Sequence, residues 1–291
     1  MAQYSIKELE HLSGIKAHTI RVWEQRYNIL CPKRTETNIR YYDDADLKTI
    51  LNISLLNEKG YKISKIAKMS PEQIMQKVQQ LCDESCQGSH HIYTLLQAMV
   101  DMNEELFDRT LSTAALQLGV KGTMNDVIYP FLIKIGILWQ TGNIRPAHEH
   151  FVSNLIRQKL IVAIDGQVVR PPENAPVYVL YLPEGELHEL VLLYMNYLLR
   201  AANKKVVYLG QHLPFSDLEL TCKQFNAKYI CTVLTIAPER DHVQAYINNL
   251  AVTFPDCEIY MYGHQVQQAS LSFPENVVRI CTPQELLKIF G

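Results

Sequence analysis

"VYVLYLPEGELHELVLLY", residues 177–194, runs from an apolar stretch of strand character into one of helix character, through a short acidic turn that holds a single histidine. Valine and tyrosine in close succession suit a buried pleated strand, and the leucine-rich run after residue 189 suits a helix. The unit recurs. "KVVYLG", "KYICTVL", "CEIYMYG" and "NVVRI" are further short β-rich runs separated by helical stretches. Five strand-helix alternations over about 115 residues predict a doubly wound, Rossmann-like parallel α/β domain at 176–291, with ligands at the carboxyl ends of the strands. His188, Thr235 and Gly263 all fall just after strands. A lone histidine at a helix start is ordinarily a surface residue or a cap, so the use of His188 depends on the rest of the chain.

Upstream, "DGQVVRPPENAP" (165–176), with three prolines, reads as a linker. From residue 93 to 165 the periodicity is helical throughout. Four apolar-striped helices with short connections predict a four-helix bundle over 90–166. Before it, "CDESCQGSHH" (82–91) has no sustained period and reads as a second linker.

At the amino end, Ser5 and Glu8 stand at capping-box spacing and Gly14 ends a short helix. "AHTIRVWEQRY" sets Ile20, Trp23 and Tyr27 on one face and His18, Arg21 and Gln25 on the other. Two short helices about a glycine turn predict a helix-turn-helix within 1–75. The charge agrees with that. Residues 1–70 hold 12 Lys and Arg against 8 Asp and Glu, while the remainder holds 16 against 22. A basic head on an acidic body points to a polyanionic partner for the head.

With 47% hydrophobic residues in 291, the chain can bury a sizeable core. The seven cysteines are scattered with no C-x-x-C pair, which predicts free thiols in a reducing compartment. No stretch is apolar for the roughly 20 residues a bilayer span needs, and the polar start lacks a signal peptide's character, so a cytoplasmic location is expected.

"HTIRVWEQRYNILCPKRTETNIRYYDDADL" closely resembles the DNA-binding domain of the MerR family, a winged helix-turn-helix, and the match runs through about 70 residues. The resemblance implies that Thr19, Arg21, Arg26 and Tyr27 belong to the recognition helix, and Arg34, Arg40 and Tyr42 to a wing that grips phosphates. It also implies a homodimer on a two-fold double-stranded DNA operator. Lys16 stands where a serine usually caps the recognition helix, which predicts some fraying there.

In the bundle, Trp139 is followed ten residues later by Glu149 and then His150. Alone, that is explained by a buried tryptophan and a capped helix. Joined to Glu186-x-His188 after the first α/β strand, it resembles the cobalamin-dependent MerR photoreceptors and the cobalamin module of methionine synthase, over residues 90–285. The resemblance implies that the bundle caps the upper face of the corrin, with Trp139 against the upper ligand and Glu149 and His150 close by. It makes His188 the lower axial ligand of cobalt, with Glu186, Thr232, Leu234 and Gly263 at the same site. Val191 and His264 stand where the family has glycines, and a side chain at 264 is expected to project into the channel for the nucleotide tail. Gln140 replaces a histidine that some photoreceptor members carry.

The function so implied is a regulator, not an enzyme, whose operator binding is controlled by cobalamin, with adenosylcobalamin the favoured form and oligomerisation the link between ligand and DNA. The alternatives are a MerR-type regulator with a degenerate pocket and a corrinoid methyltransferase component. The DNA-reading head argues against the latter.

Overall fold

The computed structural model describes residues 4–35, 38–84, 88–140 and 145–291, and it divides into two compact units, Met1–Leu155 and Ile156–Gly291.

The first unit opens with α1 (Ile6–Ser13), whose start is the capping box foreseen between Ser5 and Glu8 and whose end is Gly14 at φ 74°. α2 (Ala17–Tyr27) follows and stops at Asn28, also in the left-handed region. Lys16 gives α2 no side-chain cap, but the helix start is not left unsatisfied. Glu10 of α1 accepts the Ala17 amide at 3.1 Å and pairs with the Lys16 ammonium at 3.2 Å, so a carboxylate from the preceding helix meets the first amide of α2 in the absence of a serine cap. β1 (Lys33–Arg34) and β2 (Arg40–Tyr41) form a short antiparallel wing, extended by a bridge between Tyr4 and Tyr42. α3 (Asp44–Glu58) is capped by Asp43, and α4 (Ile63–Ile66) and α5 (Pro71–Glu84) follow.

α5 reaches Glu84 and α6 (Gly88–Val100) begins four residues later, so the linker expected over 82–91 is largely helical. The apolar positions of α5 recur at helical spacing up to Leu81, and the helix runs one further turn into the polar segment. α7 (Glu104–Gly122) kinks at Gly119, where φ is 68°, and passes through a π-helical turn at Thr123–Ile128 into α8 (Tyr129–Gln140). Pro130, which has no amide hydrogen to give, sits where the wider turn ends. α9 (Pro146–Asp165) completes the helical set, and Phe107 meets Phe131 and Phe151 edge-on in the core.

The second unit, beyond its share of α9, is a five-stranded parallel sheet. Its elements are β3 (Val177–Pro183), α10 (Leu190–Ala201), β4 (Lys205–Leu213), α11 (Phe215–Phe225), β5 (Tyr229–Val233), α12 (Val243–Thr253), β6 (Glu258–Tyr262), β7 (Val277–Arg279) and α13 (Pro283–Phe290). The strand order is β4-β3-β5-β6-β7, all parallel, as the α/β reading predicts. β3 is buried along its whole length, which is why it reads as an unbroken apolar run. The chain reverses direction across the sheet between β3 and β5, and the crevice at their carboxyl ends is the topological switch point. Among the described residues, no helix is long and apolar enough to cross a membrane.

Candidate functional site

The loop 184–189 leaves β3 at that switch point and carries His188. Glu186 within it is wholly buried, and each carboxylate oxygen has its own set of donors. Oε1 accepts the amides of Leu187 and His188, both at 3.0 Å, and Nδ1 of His188 at 2.6 Å. Oε2 accepts the amides of Thr235, Ile236 and Ala237 at 2.7, 2.8 and 3.2 Å, from the loop after β5. Burial opposes the charge, but the His188 bond and the converging amides outweigh it and bring the Glu186 carboxyl down to about 2. A carboxylate held in this way takes the hydrogen of Nδ1 and so assigns the tautomer of His188, making Nε2 the basic nitrogen. The histidine side chain itself is 50% exposed.

The loop is pinned from the other side as well. The Gly185 amide donates to Nδ1 of His212 at 2.9 Å, and Gln211 donates to the Leu187 carbonyl at 2.8 Å, both partners lying at the end of β4. Glu189, the residue after His188, is buried and bridges Arg157 Nε at 2.7 Å and the Tyr208 hydroxyl at 2.8 Å. Burial, then the Glu189 contact, drives the Tyr208 phenol far above its ordinary range.

The other residues named for this site divide by burial. Leu234 is wholly buried in the core of the sheet unit, and so supports the site from behind rather than lining it. Gly263 is needed by the backbone. With φ 121°, a β-carbon there would stand 2.4 Å from the Leu234 carbonyl oxygen, so β6 and the loop after β5 approach through this glycine. Thr232 is also wholly buried, and its hydroxyl makes no hydrogen bond of standard geometry, although it lies near enough to Tyr181 to oppose the upward push of burial and Tyr246 on that phenol. Val191 is half-buried in the first turn of α10, and His264 is exposed. In the first unit, Glu149 accepts the Ser153 hydroxyl at 2.7 Å and stands 3.3 Å from Nδ1 of the exposed His150. The Trp139 side chain lies outside the described residues.

These residues fit a cobalamin. A tautomer-fixed imidazole is a good ligand for a borderline transition metal. The exposed apolar side chains of Leu187 (59%) and Ile236 (56%) flank it on the two loops, and the Thr232 hydroxyl is a buried polar group that a ligand atom could satisfy.

The DNA-facing residues divide in a similar way. Arg21 and Arg26 are exposed on α2, with the Arg26 guanidinium 5.5 Å from the centre of the Tyr27 ring, and Thr19 and Tyr27 are half-buried. Arg34 is exposed in the wing, where it bonds Asn38 Oδ1 at 2.7 Å. Tyr42 is different: it is wholly buried, its hydroxyl donating to Glu24 Oε2 at 3.1 Å, so in this structure it belongs to the core rather than to the exposed wing surface. Arg40 pairs with the other oxygen of Glu24 at 3.2 Å, which ties the wing to the recognition helix. Sequence reasoning missed Glu24, Gln211, His212 and the Thr235–Ala237 amides. Of these, Glu24 lies inside the quoted helix and Thr235 falls just after a strand, so both stood in stretches that had drawn attention.

Comparison with known proteins gives the class of each part. Residues 4–73 match the MerR HTH family regulatory protein family, and residues 92–163 match the B12 binding domain family. The chain thus joins a MerR-type helix-turn-helix domain to a B12-binding domain. It is homologous to the HTH-type transcriptional repressors CarH and CarA of Myxococcus xanthus, with 28% identity over 74% of this chain and 73% of CarH, and 26% over 75% of this chain and 72% of CarA. The monomethylamine corrinoid protein of Methanosarcina barkeri shares the fold at a TM-score of 0.53 and 13% identity, over 67% of this chain and 94% of that one.

Proposed function

We propose that the protein is a DNA-binding transcriptional regulator whose operator affinity is controlled by cobalamin, with His188 as the lower axial ligand of cobalt. When bound, cobalamin supplies a metal centre with a coordination position open to a protein imidazole. The observation that carries the reading is the Glu186–His188 pair, in which a wholly buried carboxylate, fixed by five backbone amides, aligns a half-exposed imidazole at the switch point. A surface histidine or a helix cap has no need of so costly a support. Trp139 is assigned to the upper ligand, which favours adenosylcobalamin, and a change of homo-oligomeric state on ligand binding or illumination is the means by which operator affinity changes. The exposed Arg21, Arg26 and Arg34 serve the DNA, a partner that a catalytic corrinoid carrier does not require.

The test is to incubate the protein with adenosyl-, methyl- and hydroxocobalamin, desalt it, and record the visible spectrum, then measure binding to its own upstream DNA with and without the retained form. The expected result is retention of adenosylcobalamin with a base-off, histidine-ligated spectrum and a changed operator affinity. Folded protein that retains none of the three would overturn the cobalamin reading and leave a regulator with another signal.

A further inference from the structure

Lys134 lies on α8, the helix that also carries Trp139. Its ammonium donates to the carbonyls of His11 and Leu12 at 3.2 and 3.0 Å. Those carbonyls are in the last turn of α1, directly before the Gly14 turn that leads to the recognition helix. The next carbonyl, that of Ser13, accepts the Ser54 hydroxyl at 2.6 Å and has the Tyr93 hydroxyl of α6 at 3.2 Å. Tyr93 is in turn 3.0 Å from the carboxylate of Glu58, the last residue of α3. Two bundle helices therefore reach the carboxyl end of the first helix of the DNA reader.

The electrostatics show how tight this joint is. Burial lowers the Lys134 ammonium, against the pull of Glu58, and burial followed by the Lys134 charge lowers the His11 imidazole. A cation desolvated against the carbonyls at a helix carboxyl end meets the negative end of the helix dipole. Among the described residues, Lys48 to Asp101 and Gln97 to Asn52 are further polar bridges of this joint. Directional bonds weaken steeply with displacement, whereas apolar packing slides. A small shift of α8 is therefore felt at the turn, and the turn sets how α2 is presented.

We propose that Lys134 is the coupling residue of the regulator: its clamp on the α1 carboxyl end transmits the position of α8 to the recognition helix. This rests on the cobalamin reading only for what moves α8. The experiment uses the full chain carrying Lys134→Met, Tyr93→Phe or Lys134→Arg, each shown to be folded by circular dichroism. Hydrogen exchange at the amides of residues 14–20 and operator affinity are measured with and without adenosylcobalamin.

Lys134→Met should speed exchange at the turn and leave cobalamin retention unchanged. It should also shrink the ratio between the two operator affinities by about fivefold or more. Lys134→Arg should restore much of that ratio, and Tyr93→Phe should show a smaller effect of the same sign, which carries the test if Lys134→Met does not fold. Unchanged exchange and an unchanged ratio in folded Lys134→Met would overturn the clamp. If the parent retains no cobalamin, the proposed function fails by itself, and the clamp is still decided by turn exchange and apo operator affinity, where a change in both supports it and no change defeats it.

Discussion

Two glutamates hold the two functional faces, and they hold them differently. Glu24 joins the recognition helix to the wing through side chains alone, one oxygen on the partly exposed Arg40 and the other on the Tyr42 hydroxyl. Glu186 is sealed from solvent and grips backbone from two loops as well as the ring of His188. Side-chain ties can be exchanged for water or phosphate as a wing settles on DNA. Backbone ties in a dry site cannot be exchanged without taking the loops apart. The DNA face is thus built to adapt and the ligand face to stay where it is.

The largest expected effect follows from that fixity. A carboxyl that titrates at about 2 when folded, against an ordinary value of 4.5, contributes about 3 kcal/mol of stability. Because the folded value is the lower one, that contribution is complete above pH 4.5 and is lost as the pH falls toward 2. Glu186→Gln keeps the shape but turns an amide hydrogen pair toward one of the two donor sets. It should lose about 3 kcal/mol in urea unfolding at neutral pH and flatten the acid limb of the stability profile. An unchanged profile would show that the support is dispensable and would erase the contrast with Glu24.

Next in size is His188 itself. His188→Ala should weaken cobalamin retention by roughly tenfold or more and change the visible spectrum of whatever stays bound. Glu189, which its sequence neighbours make look like a surface control, is not suitable as one, because it is buried on Arg157 and Tyr208. The exposed Glu184 serves instead, and Glu184→Ala should leave retention and spectrum as they are. Equal loss in both variants would remove the ligand role from His188.

The burial of Glu189 shows where the sequence stops being informative. The five strands were legible because β-branched and aromatic runs of that length have few other uses, and the Glu186-x-His188 pair because its two members are close in the chain. The amides of 235–237, the side chains of Gln211 and His212, and Arg157 reach the loop from other elements, and three of the donors are backbone groups that every residue but proline possesses. For Tyr42 the MerR resemblance implies the wing, and its pairing with Tyr4 and Glu24, which turns the ring inward, has no local signature either. The α1 end met by Lys134 lies more than a hundred residues away from it and has no local signature.

On the DNA face, the two residue types should separate. Arg21→Ala removes an exposed cation from α2 and should cost about 1 to 2 kcal/mol of operator binding, with a shallower salt dependence. Tyr42→Phe removes only the bond to Glu24, and should lower stability by about 1 kcal/mol while leaving operator affinity within about twofold. If the tyrosine variant instead binds DNA as poorly as the arginine variant, the wing has opened on DNA and Tyr42 has reached it.

The smallest effect concerns His264. A side chain projecting into a packed channel would cost about 1 to 3 kcal/mol, and its removal would tighten ligand binding by roughly ten- to a hundredfold. The structure puts His264 in solvent at the start of a short 3₁₀ turn, while its neighbour Gly263 does the work for which glycine is needed, against the Leu234 carbonyl. The backbone at 264 is also ordinary, with φ −65° and ψ −39°, so glycine brings no relief there. Adenosylcobalamin affinity of His264→Gly should therefore stay within about twofold of the parent, and operator binding should not change. A tenfold tightening in the titration would mean that the imidazole swings inward when ligand arrives, and that the ligand face shares some of the wing's freedom.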